Sequence, residues 1–276
     1  MNTKVYVVTG ATSGLGKAVA LELAKTGATV ILVGRDPDRG AQVEKEIASA
    51  AKNANTDLQL SDLSNLSSVR NLAEILNSKY EKIDVLINNA GIYKRQRSVT
   101  VDGFEEMFAT NHLGPFLLTH LLLDRLLAST SARILNVTAP STSELKFDDL
   151  QGEREFKSLS AFGASKMSNL LFTYELARRT ADTHIRVNAY HPGLVRSPLM
   201  KEAVAPLRLL TRLFSSPPQR AALDLVQLAT APEFETTHGK FLHRGKEMEP
   251  SSYALDPLNQ SKLWEVSERL TGISQS

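Results

Sequence analysis

Cysteine is absent from the 276 residues, which excludes disulfides, thiolate metal sites and cysteine nucleophiles together. The six histidines (His112, His120, His184, His191, His238 and His243) offer no metal either: His112 and His120 lie eight apart, and no carboxylate joins them at helical spacing. Neither sign of charge dominates. The chain holds 32 Lys and Arg against 30 Asp and Glu, a net +2, too balanced to argue for nucleic acid or an anionic membrane as partner. Long apolar runs are missing too, since none approaches the length that spans a bilayer. The sequence runs directly into "KVYVVTG" with no basic-then-apolar leader. The expectation is a cytoplasmic, soluble protein with no membrane anchor. A composition of 42% hydrophobic and 22% charged residues is that of an ordinary globule with chain enough for a substantial core.

What is present is alternation. Short apolar runs at 4–8, 29–33, 57–60, 84–88, 133–137, 185–190 and 239–242 read as strands. Most are continuous rather than alternating, as expected where both faces of a parallel sheet are covered. Between them lie amphipathic patterns: Leu66, Val69, Leu72, Ala73 and Leu76 recur at helical spacing behind Ser64 as N-cap, and 104–127 and 161–179 have the same character. The pattern predicts an α/β fold, a single-domain Rossmann-type doubly wound parallel sheet of about seven strands with helices on both faces. One domain spans 1–276, with a proline-interrupted excursion around 198–218.

After the first strand comes "TGATSGLG", with Gly10, Thr12, Ser13, Gly14, Leu15 and Gly16 leading into a helix. Glycines at such a turn let a pyrophosphate approach the backbone at a helix N-terminus. A tight strand-to-helix turn alone would explain each glycine singly. With the strand before and the second strand at the right distance, a dinucleotide site is the better account. The second strand ends "ILVGRDP": where such folds place an acid for the ribose 2′-hydroxyl stands Gly34, followed by Arg35. A guanidinium pairs with a 2′-phosphate and an acid repels it, so NADP(H) is favoured over NAD(H). Asp36 comes one residue late and reads equally as a helix cap. Asp62, followed by Leu63 at the end of the third strand, reads either as an acceptor for the adenine amine or as another cap.

By "VLINNAG" the chain resembles the short-chain dehydrogenase/reductase family, and the likeness runs essentially its whole length. The matching pieces are "TGATSGLG", "NNAG", "NHLGPFLLT", "RILNV", the helix carrying Lys166, and "HPGLVRS". "FDDLQGEREF", "ASKMSNLLFTYELARR" and "ALDPLNQSKLWEVSERLTG" resemble the retinol-dehydrogenase-like branch. The resemblance implies roles. Asn88, Asn89, Ala90 and Gly91 would line the adenine side and steady the central strand. Asn111 would bend its helix and hold a water linked to Lys166. Lys166 would bind the nicotinamide ribose and lower the pKa of a catalytic tyrosine. Pro192, Gly193, Val195 and Ser197 belong to a segment that would close over the nicotinamide carboxamide. A homo-oligomer through 104–127 and 161–179 is common in the family.

The family's chemistry needs a serine after the fifth strand and a tyrosine four residues before the lysine. Ala139 and Phe162 stand there. Loss of the tyrosine removes acid/base help of about 10²–10⁴-fold. Loss of the serine donor removes on the order of another 10²-fold, though such effects need not add. Among neighbours, Thr138 is expected to point away, Ser141 and Thr142 lie further along the loop, Ser160 is on the wrong side of its helix, and Tyr190 and His191 end the sixth strand. Three readings follow. The chain is an inactivated form of a working NADP(H)-dependent oxidoreductase, each hydroxyl deleted with the residue's shape kept. Alternatively it is a natural pseudoenzyme serving as sensor or scaffold, or a natural isomerase, cyclase or lyase that uses NADP structurally.

The lid is expected from 93–100 and 198–218. Leu199, Met200, Val204, Leu207, Leu209, Leu210, Leu213 and Phe214 either line a pocket for an apolar carbonyl or alcohol substrate or form the buried side of a short helix pair. Lys94, Arg95 and Arg97 read as a solvated run or as partners for an acidic substrate group.

Overall fold

The computed structural model of the chain describes residues 3–51 and 54–273, with the side chains of residues 207 and 210–212 outside the description. Strand and helix alternate as β1 (Val5–Thr9), α1 (Gly14–Ala24), β2 (Thr29–Gly34), α2 (Pro37–Ala50), β3 (Asn55–Leu60), α3 (Leu66–Lys79) and β4 (Val85–Asn88). There follow α4 (Glu106–Phe108), a π-helical turn (Ala109–Leu113), α5 (Gly114–Leu121), α6 (Leu123–Leu127), β5 (Arg133–Val137), α7 (Ser158–Arg179) and β6 (Arg186–Tyr190). The remainder is a 3-10 turn (Pro198–Met200), α8 (Ala205–Phe214), α9 (Pro218–Thr230), a second 3-10 turn (Pro232–Phe234), β7 (Lys240–His243), β8 (Lys246–Glu247), α10 (Ser252–Leu255) and α11 (Pro257–Thr271).

The strands form one sheet in the order β3-β2-β1-β4-β5-β6-β7-β8. All neighbours are parallel except β7 and β8. Every residue of β1, β2, β4 and β5 is buried, because helices cover both faces. Val19, Leu23, Leu225 and Leu228 pack on one face, and Leu72, Leu76, Phe116, Phe172 and Trp264 on the other. Strand order reverses between β1 and β4, and the crevice beyond their C-terminal ends is where such sheets take ligands. No helix among the described residues is long and apolar enough to cross a membrane.

The sheet has eight strands rather than about seven. The eighth is the short antiparallel partner of β7, reached through Arg244 and Gly245, both at positive φ (51° and 71°), the conformation of a two-residue hairpin turn. The segment 104–127 is broken rather than continuous: the π-helical turn carries Asn111, and α5 and α6 are separated at Leu122. Helix α3 is capped by Asn65, which accepts from the Ser68 amide at 3.1 Å, not by Ser64.

At the end of the sheet opposite the crevice, Asp84 ties three segments together. Its Oδ2 accepts from the Val5 amide (2.9 Å), and its Oδ1 from Lys4 Nζ (2.9 Å), Ser129 Oγ (2.8 Å) and Lys82 Nζ (3.1 Å). Burial alone would push this carboxyl up, but the donors outweigh it and hold the pKa below the ordinary value. A depressed folded-state pKa contributes stability above the unfolded value that is lost as pH falls through the folded one. Asp84→Ala is expected to lower the unfolding free energy by about 2–4 kcal/mol at neutral pH. Urea titrations at neutral and acid pH check this: the difference should shrink once the wild-type carboxyl is protonated.

Candidate active site

The loop after β1 is built for close approach. Gly10 and Gly14 take positive φ (66° and 53°), which only glycine adopts cheaply. A Cβ on Gly16 would sit 2.3 Å from the Gly10 carbonyl oxygen and 2.4 Å from Asn89 Nδ2. The loop is stitched to the end of β4. Thr9 Oγ1 accepts from the amides of Asn89 (2.9 Å) and Ala90 (3.0 Å), and Asn89 Nδ2 donates to the Thr9 carbonyl (2.8 Å). Ser13, extended at the cap of α1, makes no side-chain cap hydrogen bond. The first amides of that helix are therefore not taken up by a cap, while Leu15 is buried beneath them. From the other side, Ser197 closes to 2.9 Å from where a Gly14 Cβ would stand. Its segment, Pro192–Ser197, turns through Gly193 (φ 76°) and is pinned where Val195 bridges Ser216.

At the end of β2 the glycine has a steric reason. A Cβ on Gly34 would lie 2.4 Å from Thr12 Cγ2, so the loop's own Thr12 occupies the space that an acid would need. Arg35 is exposed and has no ion pair or hydrogen bond among the described residues. Asp36 caps α2, accepting from the Arg39 amide at 3.1 Å. Asp62 Oδ1 accepts from the amide (3.0 Å) and hydroxyl (2.8 Å) of Ser64. It shapes the turn before α3 without capping the helix. Leu63 is buried, its carbonyl against Gly114. The glycine loop and the uncapped helix N-terminus fit a nicotinamide dinucleotide.

A second cluster forms where α7 passes the ends of β4 and β5. Phe162 and Lys166 share one face of α7, with Lys166 Nζ 5.5 Å from the centre of the phenyl ring. Lys166 is 7% exposed, and its Nζ has no hydrogen-bond or ion-pair partner among the described residues. Burial pushes its pKa down to about 8. Gly91 leaves the amine uncovered: a Cβ there would stand 3.4 Å from Nζ and from Asn111 Oδ1. The π-helical turn directs Asn111 inward, where Oδ1 accepts from the Ile92 amide (2.7 Å). Its Nδ2 donates to the Ile92 carbonyl (3.0 Å) and to Ser165 Oγ (2.9 Å). This one side chain locks the segment after β4 to α7.

Of the neighbouring hydroxyls, that of Ser143 is half-buried beside Gly163 and makes no hydrogen bond among the described residues, while the others are engaged or exposed. Thr138 donates to the Lys166 carbonyl (2.8 Å), Ser141 to the Gly163 carbonyl (2.8 Å) and Tyr190 to the Ala221 carbonyl (2.9 Å). Thr142 and Ser160 are exposed, and Ala139 is half-buried. The His191 ring lies 5.0 Å from that of His243, and burial together with that neighbour pushes its pKa down.

The lid is only partly as expected. Met200 joins Tyr93, Met107, Phe156 and Ala203 around the Phe162 ring. Val204 is 45% exposed, and Leu209, Leu213 and Phe214 are 58–69% exposed on α8. The side chains of Leu207 and Leu210 lie outside the described residues. The basic run is structural rather than open. Lys94 pairs with Glu106 (3.1 Å) and Glu202 (3.6 Å), and Arg97 donates to the Gln151 carbonyl (2.8 Å). Only Arg95 stays exposed.

Four residues escaped the sequence reading as individuals. Thr9 and Ser165 supply the hydroxyls that join the loops. Tyr93 sets its ring edge-on to Phe162 (centroids 5.7 Å, 75°) and donates to Ser158 Oγ at 3.0 Å. The adjacency of Thr9 to Gly10 and of Ser165 to Lys166 was the available signal. For the Tyr93–Ser158 pair there was none, because the partners are 65 residues apart.

Known proteins agree with this architecture. The family model described as short chain dehydrogenase matches residues 4–207. Retinol dehydrogenase 12 of Mus musculus is 41% identical over 275 residues, covering 98% of this chain and 87% of that protein. A crystal structure of an uncharacterized protein from Mycobacterium Paratuberculosis is similar with a TM-score of 0.78 and 34% identity, over 98% of this chain and 93% of that one. An NAD(P) dependent gluconate 5-dehydrogenase from Beutenbergia cavernae, with NADP bound at low occupancy, has a TM-score of 0.71 and 28% identity, over 87% and 94%. On this match and this fold, the chain belongs to the short-chain dehydrogenase/reductase family of oxidoreductases, in its retinol-dehydrogenase-like branch.

Proposed function

We propose that the chain binds NADP(H) in the crevice beyond β1 and β4 and receives an apolar carbonyl or alcohol beside Phe162, at a centre where hydride transfer is silenced. The observation that carries this reading is the pairing of Phe162 with Lys166 one turn apart, Nζ 5.5 Å from the ring centre, with the hydroxyls of Thr138 and Ser141 committed to backbone carbonyls. When bound, the dinucleotide supplies the hydride or accepts it. The chain's own residues do the rest. Gly10 to Gly16 leave amides free for the pyrophosphate, Asp62 faces the adenine, and Pro192 to Ser197 close on the nicotinamide side. Lys166 holds the nicotinamide ribose, on the helix that the Asn111–Ile92–Ser165 clamp fixes to the chain after β4. The ring cluster of Tyr93, Met200 and Phe162 excludes water and favours an apolar substrate.

A carbonyl reduced by hydride must receive a proton, and an alcohol oxidised must lose one. A phenol of pKa about 10 beside an ammonium performs that transfer, and a phenyl ring has no proton to move. Without the phenol the rate drops by about 10²–10⁴-fold, and the alanine withholds a hydrogen bond to the carbonyl oxygen as well. The retained shapes of both side chains favour an inactivated reductase over a site that has drifted.

The preference for NADP(H) rests on Arg35 and on the space that Thr12 takes from position 34. Arg35→Ala is expected to weaken NADPH binding by about 10–100-fold while leaving NADH within about twofold, read by titration calorimetry with each dinucleotide. Ala139→Ser combined with Phe162→Tyr is expected to raise NADPH consumption with apolar aldehydes by on the order of 10²–10⁴-fold. If that double variant binds NADPH firmly and still turns over none of a panel of aldehydes and ketones, the reading as an inactivated reductase is wrong.

A further inference from the structure

Removing the phenol changes what its neighbour is. An amine is a nucleophile only when unprotonated, and most lysines are kept charged by water or by a carboxylate. Other lysines follow the rule: Lys4, Lys82, Lys94, Lys146, Lys157 and Lys240 pair with acids at 2.7–3.6 Å, while Lys45, Lys201, Lys246 and Lys262 are exposed to water. Lys166 does not. It is buried, it has no carboxylate partner among the described residues, and at 5.5 Å it faces the Phe162 ring, which offers no acceptor lone pair. Gly91 leaves the space before Nζ clear, and the apolar cluster around Tyr93 and Met200 lies beyond the same ring.

We infer that Lys166 is a carbonyl-capturing amine that forms a Schiff base with apolar aldehydes entering the site when no dinucleotide covers it. The lone pair of Nζ attacks the carbonyl carbon, forming the C–N bond as the C=O π electrons move to oxygen and take up a proton. The resulting carbinolamine loses water to give the imine, with no oxidant or reductant consumed. Desolvation supports the chemistry: an amine with a pKa of about 8 is unprotonated roughly 200 times more often at about pH 7.5 than an ordinary lysine. The inference shares with the proposed function only the reading that the space beside Phe162 admits a carbonyl. It does not require NADP(H) to bind.

The test is reductive trapping. The intact protein, without dinucleotide, is treated with hexanal and sodium cyanoborohydride across a range of pH, and the alkylated lysines are mapped by peptide mass spectrometry. The cyanoborohydride delivers hydride to the imine carbon and makes the bond permanent. Lys166 is expected to be modified at least about tenfold faster than the exposed Lys146, Lys157 and Lys246, with its rate half-maximal near its lowered pKa rather than near that of a free lysine. Restoring the phenol with Phe162→Tyr, which keeps the lysine and the fold, is expected to slow trapping at Lys166 without altering the surface lysines. Modification of Lys166 no faster than the surface lysines would overturn the inference, whether or not NADPH binds.

Discussion

The site depends on how two loops leave adjacent parallel strands, and a single hydroxyl holds them together. Thr9 ends β1 and accepts from two successive amides beyond β4, while Asn89 returns a hydrogen bond to the Thr9 carbonyl. Strand order reverses at this junction, so no helix closes the crevice between the two loops. The glycines then follow from contact distances: a side chain at Gly16 would strike the Gly10 carbonyl and the Asn89 amide that maintain the junction. The dinucleotide cradle is thus a consequence of strand pairing, not an addition to it.

The same economy governs the reaction centre. Asn111 spends every polar atom of its side chain on Ile92 and Ser165, and so fixes the distance between the chain after β4 and helix α7. Phe162 packs edge-on to Tyr93, and its phenyl ring carries no proton to exchange. What remains is a binding site with one buried amine.

Much of this was legible in the chain because it depends on local pattern. The runs at β1 and β2 are continuous and apolar because both faces are covered, and periodicity reports that directly. Gly10, Gly14 and Gly16 announced a loop by spacing, and Phe162 and Lys166 declared themselves by helical register. The misses share a different cause. The resemblance named the bend at Asn111, but the partners that hold it, Ile92 and Ser165, lie 19 and 54 residues away, in no single window of sequence. Ser64 and Asn65 are both good caps, and only the geometry of the turn, with Ser64 engaged by Asp62, selects Asn65. The eighth strand is two residues long and depends on positive φ at Arg244, an unusual residue for that conformation. The apolar face of α8 was legible, but its direction was not: periodicity says that a face exists, not which way it turns.

The central claim is that the chain as it stands binds the phosphorylated dinucleotide but cannot use it. The most direct measurement follows NADPH on the unaltered protein, first by fluorescence as it binds and then by near-ultraviolet absorbance after an apolar aldehyde is added. The account predicts saturable binding of NADPH, tighter than that of NADH, and an absorbance that stays constant on the timescale of ordinary turnover. Failure to bind, or prompt oxidation at the rate of a working reductase, would contradict it.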